Sequence, residues 1–116
     1  MRSKRVEAKP LTTAALHILL ALSESQLHGY GIMQSVKRQS DGEYRLGPGT
    51  LYATLAGLLE RGWVGETQRK MNNGESRREY FLTANGALVL QAEIQRLQQI
   101  VAIGRRRLTK LDERKA

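Results

Sequence analysis

The stretch that most constrains this chain is RLGPGTLYATLAGLLERGWV, residues 45–64. Gly47 can take an N-cap, and Pro48 fits the first helical position, where no backbone donor is needed. Gly62 stands where a helix stops. Between them Leu51, Leu55, Leu58 and Leu59 recur at helical spacing and form one apolar stripe. The opposite side carries Gly49, Thr50, Ala53, Ala56 and Gly57, with Tyr52 and Thr54 on its flanks. A helix with built ends and so small an outward face suits close approach of its backbone to another surface. That surface is either a nucleic-acid groove or a second helix.

The neighbouring segments supply the rest of a fold. Thr12 or Thr13 can cap a helix running to about Ser23, with Ala15, Leu16, Ile18, Leu19, Leu20 and Leu22 on its apolar face. SESQLHG reads as a connector, and a second helix is expected from near His28 to about Gln39. Lys37 and Arg38 end it, where the helix dipole favours cations. SDGEYRLGPG is a loop rich in helix breakers. After Gly62 the period changes to two. WVGETQ and REYFLT read as strands joined through a strong turn signal, Asn73-Gly74. Thr83 can cap a last helix from Ala84 to about Leu111, a length of about 42 Å at 1.5 Å per residue. Along it Leu90, Ile94, Leu97, Val101, Gly104, Leu108 and Leu111 step alternately by four and three, a heptad seam with one glycine in it. So long a seam cannot be buried on so small a body, and a second copy is the simplest cover.

The charge pattern restricts the partner. The formal net charge is +8, and the excess is not uniform. Arg2, Lys4, Arg5 and Lys9 crowd the first ten residues, Arg69, Lys70, Arg77 and Arg78 flank the turn, and residues 104–116 are again basic; the body is near neutral. A polyanion fits this pattern. Cysteine is absent, which excludes disulfides, thiolate zinc sites and a cysteine nucleophile. His17 and His28 sit on different elements without matched carboxylates, so no catalytic constellation or metal-ligand spacing appears and no enzyme, metal or cofactor is expected. The apolar run Leu11–Leu22 is too short to span a bilayer, which takes about 20 residues. A cytoplasmic protein with no membrane association is expected.

Three helices, a hairpin with a basic tip and a long helix follow the order of a winged helix-turn-helix. The expected architecture is therefore mainly α: a basic arm over residues 1–10, a winged domain of three helices and a two-stranded wing over 11–83, and a dimerisation helix with a basic tail over 84–116. The third helix would enter the major groove of double-stranded DNA. Ala53, Ala56 and Gly57 would permit close approach, Thr50, Tyr52 and Thr54 would touch bases or phosphates, and Gly49 would lie with them on the DNA-facing side. Lys70, Arg77 and Arg78 on the wing and Arg5 in the arm would supply charge. Leu90, Ile94, Leu97, Val101, Leu108 and Leu111 would hold a homodimer. A winged helix can also serve as a protein-binding module without sequence-specific DNA binding.

LTTAALHILLAL, LHGYGIM, LGPGTLYATLAGLLERGWV and RREYFLT together resemble the successive signatures of the PadR family of transcriptional regulators. The single C-terminal helix is similar to that of the smaller subfamily. The resemblance implies a repressor that binds an inverted repeat as a homodimer and releases it when a small molecule binds. It also puts Thr50, Leu51 and Tyr52 at the head of the recognition helix and Arg77 and Arg78 on the wing. TANG at residues 83–86 departs from the family's Thr-Pro-Ala-Gly, and residues 83–116 contain no aromatic side chain. Any effector held between two such helices would meet Leu, Ile, Val and Gln side chains and would be apolar and uncharged or weakly polar. Trp63 could be core packing or a ligand platform.

Overall fold

Thr12 opens the first helix. Its Oγ1 accepts from the Ala15 amide at 3.1 Å, and α1 runs over Thr13–Glu24. The structure, a computed structural model, describes residues 9–115; Arg5 and its neighbours in the expected arm lie outside the described residues. Helix α2 covers Gly29–Gln39 and is capped by His28, whose Nδ1 accepts from the Gly31 amide at 3.0 Å. Helix α3 covers Pro48–Glu60 behind the Gly47 N-cap. All three pack through aliphatic faces: Ile18, Leu19, Ile32, Val36, Leu51, Leu55 and Leu58 are almost wholly inaccessible to water. Leu59, the fourth member of the expected stripe, is only half-buried.

Both α2 and α3 end in the same way. Ser40 caps α2; the Asp41 amide then donates to the Arg38 carbonyl at 3.2 Å and the Gly42 amide to the Lys37 carbonyl at 2.8 Å. Asp41 takes the left-handed conformation at φ 50°, which Asp adopts more readily than most residues. At the end of α3, Gly62 sits at φ 74°, and the Gly62 and Trp63 amides donate back to the Leu59 and Leu58 carbonyls. These reversals set the direction in which each following segment leaves.

The sheet is larger than the sequence indicates. Strands β2, Val64–Lys70, and β3, Ser76–Leu82, form the expected antiparallel hairpin. Within SESQLHG, read above as a connector, Leu27–His28 forms a short strand β1 that pairs antiparallel with β3. The order is β1-β3-β2, three strands instead of two. At the hairpin tip only Gly74, φ 85°, is left-handed, and Asn73 is not. The Gly74 amide donates to the Met71 carbonyl and the Met71 amide to the Glu75 carbonyl, as in a three-residue loop with a glycine bulge and not a two-residue Asn-Gly turn.

Thr83 joins the hairpin to the last helix. Its hydroxyl donates to the Gly62 carbonyl at 2.6 Å and accepts from the Gly86 amide at 3.0 Å. Helix α4 then runs over Ala84–Lys115, 32 residues, four beyond the expected end at Leu111. Its first turns rest on the body through Gly86 and Leu90; its second half is exposed to solvent. Among the described residues no helix is long and apolar enough to cross a membrane.

Candidate nucleic-acid interface

Helix α3 presents an uncovered N-terminus. Gly47 makes no side-chain cap, Pro48 has no amide proton, and the first intrahelical bond is donated by Leu51 to the Gly47 carbonyl. The Gly49 and Thr50 amides therefore have no acceptor within the helix, and with the helix dipole they favour an anion. Gly49, Thr50, Ala53 and Ala56 are exposed. Tyr52 is half exposed at 50%, and its hydroxyl end lies directly over Gly29, at the start of α2. A side chain at position 29 would collide with it, so the bare glycine seats the ring. Thr54 and Gly57 point elsewhere. They are half-buried and line a groove of about 570 Å³ between α1, α3 and α4, together with Leu11, Ala15, Trp63 and Val89 and with the exposed Ala53. Trp63 is thus partly exposed, with the Arg61 guanidinium 5.3 Å from its ring centre.

The wing's register sorts its cations onto two faces, because paired residues share a face. Gln68 pairs with Arg78, Glu66 with Tyr80 and Val64 with Leu82, on the face that continues from the core. Arg78 lies here, close enough to Tyr52 for an electrostatic influence. Its Nε is 2.6 Å from Glu66 Oε1. A hydrogen bond with Tyr80 and the Glu66 charge hold the guanidinium above its ordinary pKa. On the other face Arg69 pairs with Arg77 and Thr67 with Glu79. Glu79 is 3% exposed. Its Oε1 accepts from Gln26 Nε2 at 2.8 Å, and its Oε2 accepts from Arg77 at 3.3 Å with Arg69 at 3.8 Å. The Gln26 hydrogen bond, helped by the two arginines, holds this carboxyl below the usual carboxylate range against the opposing effect of burial. Lys70 ends β2 and forms no ion pair among the described residues.

A family model, "Transcriptional regulator PadR-like family", matches residues 18–92. The transcriptional regulator Rv3488 of Mycobacterium tuberculosis is 34% identical over 85 residues, covering 73% of this chain and 76% of that one. This chain belongs to the PadR-like family. Solved structures agree in fold. A PadR family transcription regulator from Clostridium difficile superposes with a TM-score of 0.71 at 21% identity, over 84% of this chain and 99% of that one. Bacillus subtilis PadR, solved in complex with operator DNA, superposes with a TM-score of 0.65 at 21% identity, over 73% of this chain and 48% of that one.

In this PadR-like chain the residues singled out from sequence divide into groups. Gly49, Thr50, Tyr52 and Ala53 share the exposed side of α3, and Arg78 stands near Tyr52. Arg77 lies on the opposite wing face and is held by Glu79, while Thr54 turns toward the Trp63 groove. Of the seam on α4, Leu90 is buried against the body, Leu97 is half-buried, and Ile94, Val101, Leu108 and Leu111 remain 39–63% exposed. Sequence reasoning missed two buried carboxylates. Glu79 is one. Glu93 is the other: it is 2% exposed, accepts from Arg96 at 2.6 and 2.9 Å and from the Leu11 amide at 3.0 Å, and so ties α4 to the start of α1. The Arg96 hydrogen bond, with that of Leu11, holds Glu93 below its ordinary pKa. Their partners are remote in sequence, and no periodicity marks them. Also missed is a gathering of Lys37, Arg38 and Arg45, in a part of the chain whose local charge is nearly balanced.

Proposed function

We propose that this PadR-like chain binds duplex DNA as a homodimer, each copy laying α3 in the major groove, and that it represses transcription from an inverted-repeat operator. The observation that carries the reading is the exposed side of α3. Small residues allow close approach, two helix N-terminal amides lack acceptors, and Tyr52 is seated over Gly29 with half its surface exposed. That the Bacillus subtilis relative was solved in complex with operator DNA supports the DNA-binding part of this reading. Gly49, Thr50, Tyr52 and Ala53 would face the groove, with Lys70 and Arg78 on the backbone beside it. Leu97, Val101, Leu108 and Leu111 would meet their copies across the seam. A small apolar molecule lodged among the Leu, Ile, Val and Gln side chains of paired α4 helices would change the spacing of the two heads. It would release DNA only by its differential affinity for the two spacings.

Selection of bound fragments from a genomic DNA pool tests the main claim. Enrichment of paired half-sites in inverted orientation, their centres about 10 base pairs or a multiple apart, is expected. A pool that shows no enrichment would overturn it. Trp63 fluorescence and operator affinity, followed across apolar compounds and phenolic acids, test release; a response confined to the phenolic acids would overturn the apolar assignment.

A further inference from the structure

The chain reversal after α2 places Arg45 beside Lys37 and Arg38. All three line one open groove of about 810 Å³ with Tyr30, Gln34 and Asp41. None of the three cations forms an ion pair among the described residues, whereas Arg69, Arg77 and Arg78 on the wing all do. Arg45 is projected from a fixed backbone. Before it, the Tyr44 ring stacks on His17 at 4.9 Å and the Tyr44 amide donates to Ser40 Oγ at 3.1 Å; after it, Leu46 is 6% exposed in the core. Gly47, the cap of the uncovered α3 N-terminus, comes next.

We propose that this groove is the main phosphate-binding surface of the protein, with Lys37, Arg38 and Arg45 gripping the DNA backbone beside the groove that α3 enters, while Arg69 and Arg77 stay on Glu79. The inference rests on the DNA-binding reading above and assigns its electrostatic part. An exposed ion pair such as Arg78–Glu66 contributes little and can be exchanged for phosphate. The Glu79 pairs differ, because withdrawing both arginines would leave a buried carboxylate with only the Gln26 hydrogen bond. Lys37, Arg38 and Arg45 break no ion pair among the described residues by meeting a phosphate. Lys37 and Arg38 also favour the α2 C-terminus, but that role affects stability and not salt-dependent binding.

The test is binding to a short duplex of mixed sequence as a function of salt. Arg38→Gln with Arg45→Gln is expected to lower the slope of log affinity against log salt by about 1.8, or 0.9 per lost phosphate contact. Asp41→Asn removes the only carboxylate that lines the groove among the described residues, and asparagine also accepts the left-handed backbone. It is expected to raise affinity several-fold at low salt, a gain that misfolding cannot produce. If the double variant keeps the wild-type slope, or Asp41→Asn does not tighten binding, the proposal fails. Ala53→Glu separates the two ideas. If it abolishes binding while the groove variants change nothing, α3 docks on DNA without this groove. If the wild-type chain binds no DNA, both readings fall.

Discussion

Gly29 and Gly86 both sit buried in helices, yet an added methyl group would meet different neighbours. At Gly86 it would run into the Trp63 carbonyl, main chain that is already fixed by accepting from the Thr83 amide at 3.1 Å. Replacing glycine by alanine inside a helix gains up to about 1 kcal/mol in propensity. Overpacking against groups that cannot yield costs about 1–3 kcal/mol. The second effect wins here, so Gly86→Ala should destabilise the fold by about 1–2 kcal/mol in denaturant titration, given these two ranges. At Gly29 the methyl meets only the hydroxyl end of Tyr52, an exposed ring that can swing aside. Gly29→Ala should therefore leave stability within about 0.5 kcal/mol, as for a surface substitution, but weaken DNA binding. Paired melting curves and DNA titrations check both. A Gly29→Ala variant with wild-type affinity would remove Tyr52 from the interface.

At the scale of elements, two carboxylates act as fasteners. Glu93 joins α4 to the start of α1, and Glu79 joins the wing to the residue before β1. Both have pKa values lowered in the fold. A lowered carboxyl pKa means stability that is complete above the unfolded value, about 4.3 for Glu, and is lost as pH falls through the folded value. Thermal stability should therefore fall steeply below about pH 4.3. In Glu79→Gln with Glu93→Gln the starting stability should be lower and the acid slope shallower; an unchanged slope would show that neither fastener governs acid unfolding. Neither was legible in the sequence, because the Gln26–Glu79 and Leu11–Glu93 bonds join residues 53 and 82 positions apart. Strand β1 escaped for a related reason: two residues have no period, and their place in a sheet depends wholly on β3. Helix α3 was legible because its limits are local, with Gly47 and Pro48 at one end and Gly62 at the other. The same holds for Thr12 and Thr83, whose caps act within three residues.

The whole molecule is elongated. Its radius of gyration is 17.9 Å, against about 13 Å for a compact domain of 100 residues, because α4 extends beyond the body it starts on. The extension leaves a row of aliphatic side chains uncovered, with Ile100 beside the seam at 52% exposure and Val101 within it at 50%. No neighbouring group of the protomer stands within 4 Å of where a side chain at Gly104 would begin. A lone helix gains nothing by aligning such residues on one side, since only burial against another surface rewards it. Val101 is the cleanest place to test the proposed dimer. Leu97 is half-buried in the protomer, so a charge there disturbs the monomer as well. At Val101 a glutamate remains hydrated in the monomer and is buried only in the pair. Val101→Glu should sediment as a folded monomer with wild-type helix content. It should bind an inverted repeat far more weakly than the wild type, because the second half-site no longer comes with the first. A Val101→Glu variant that remains a stable dimer would place the interface elsewhere and leave this exposed row without its partner.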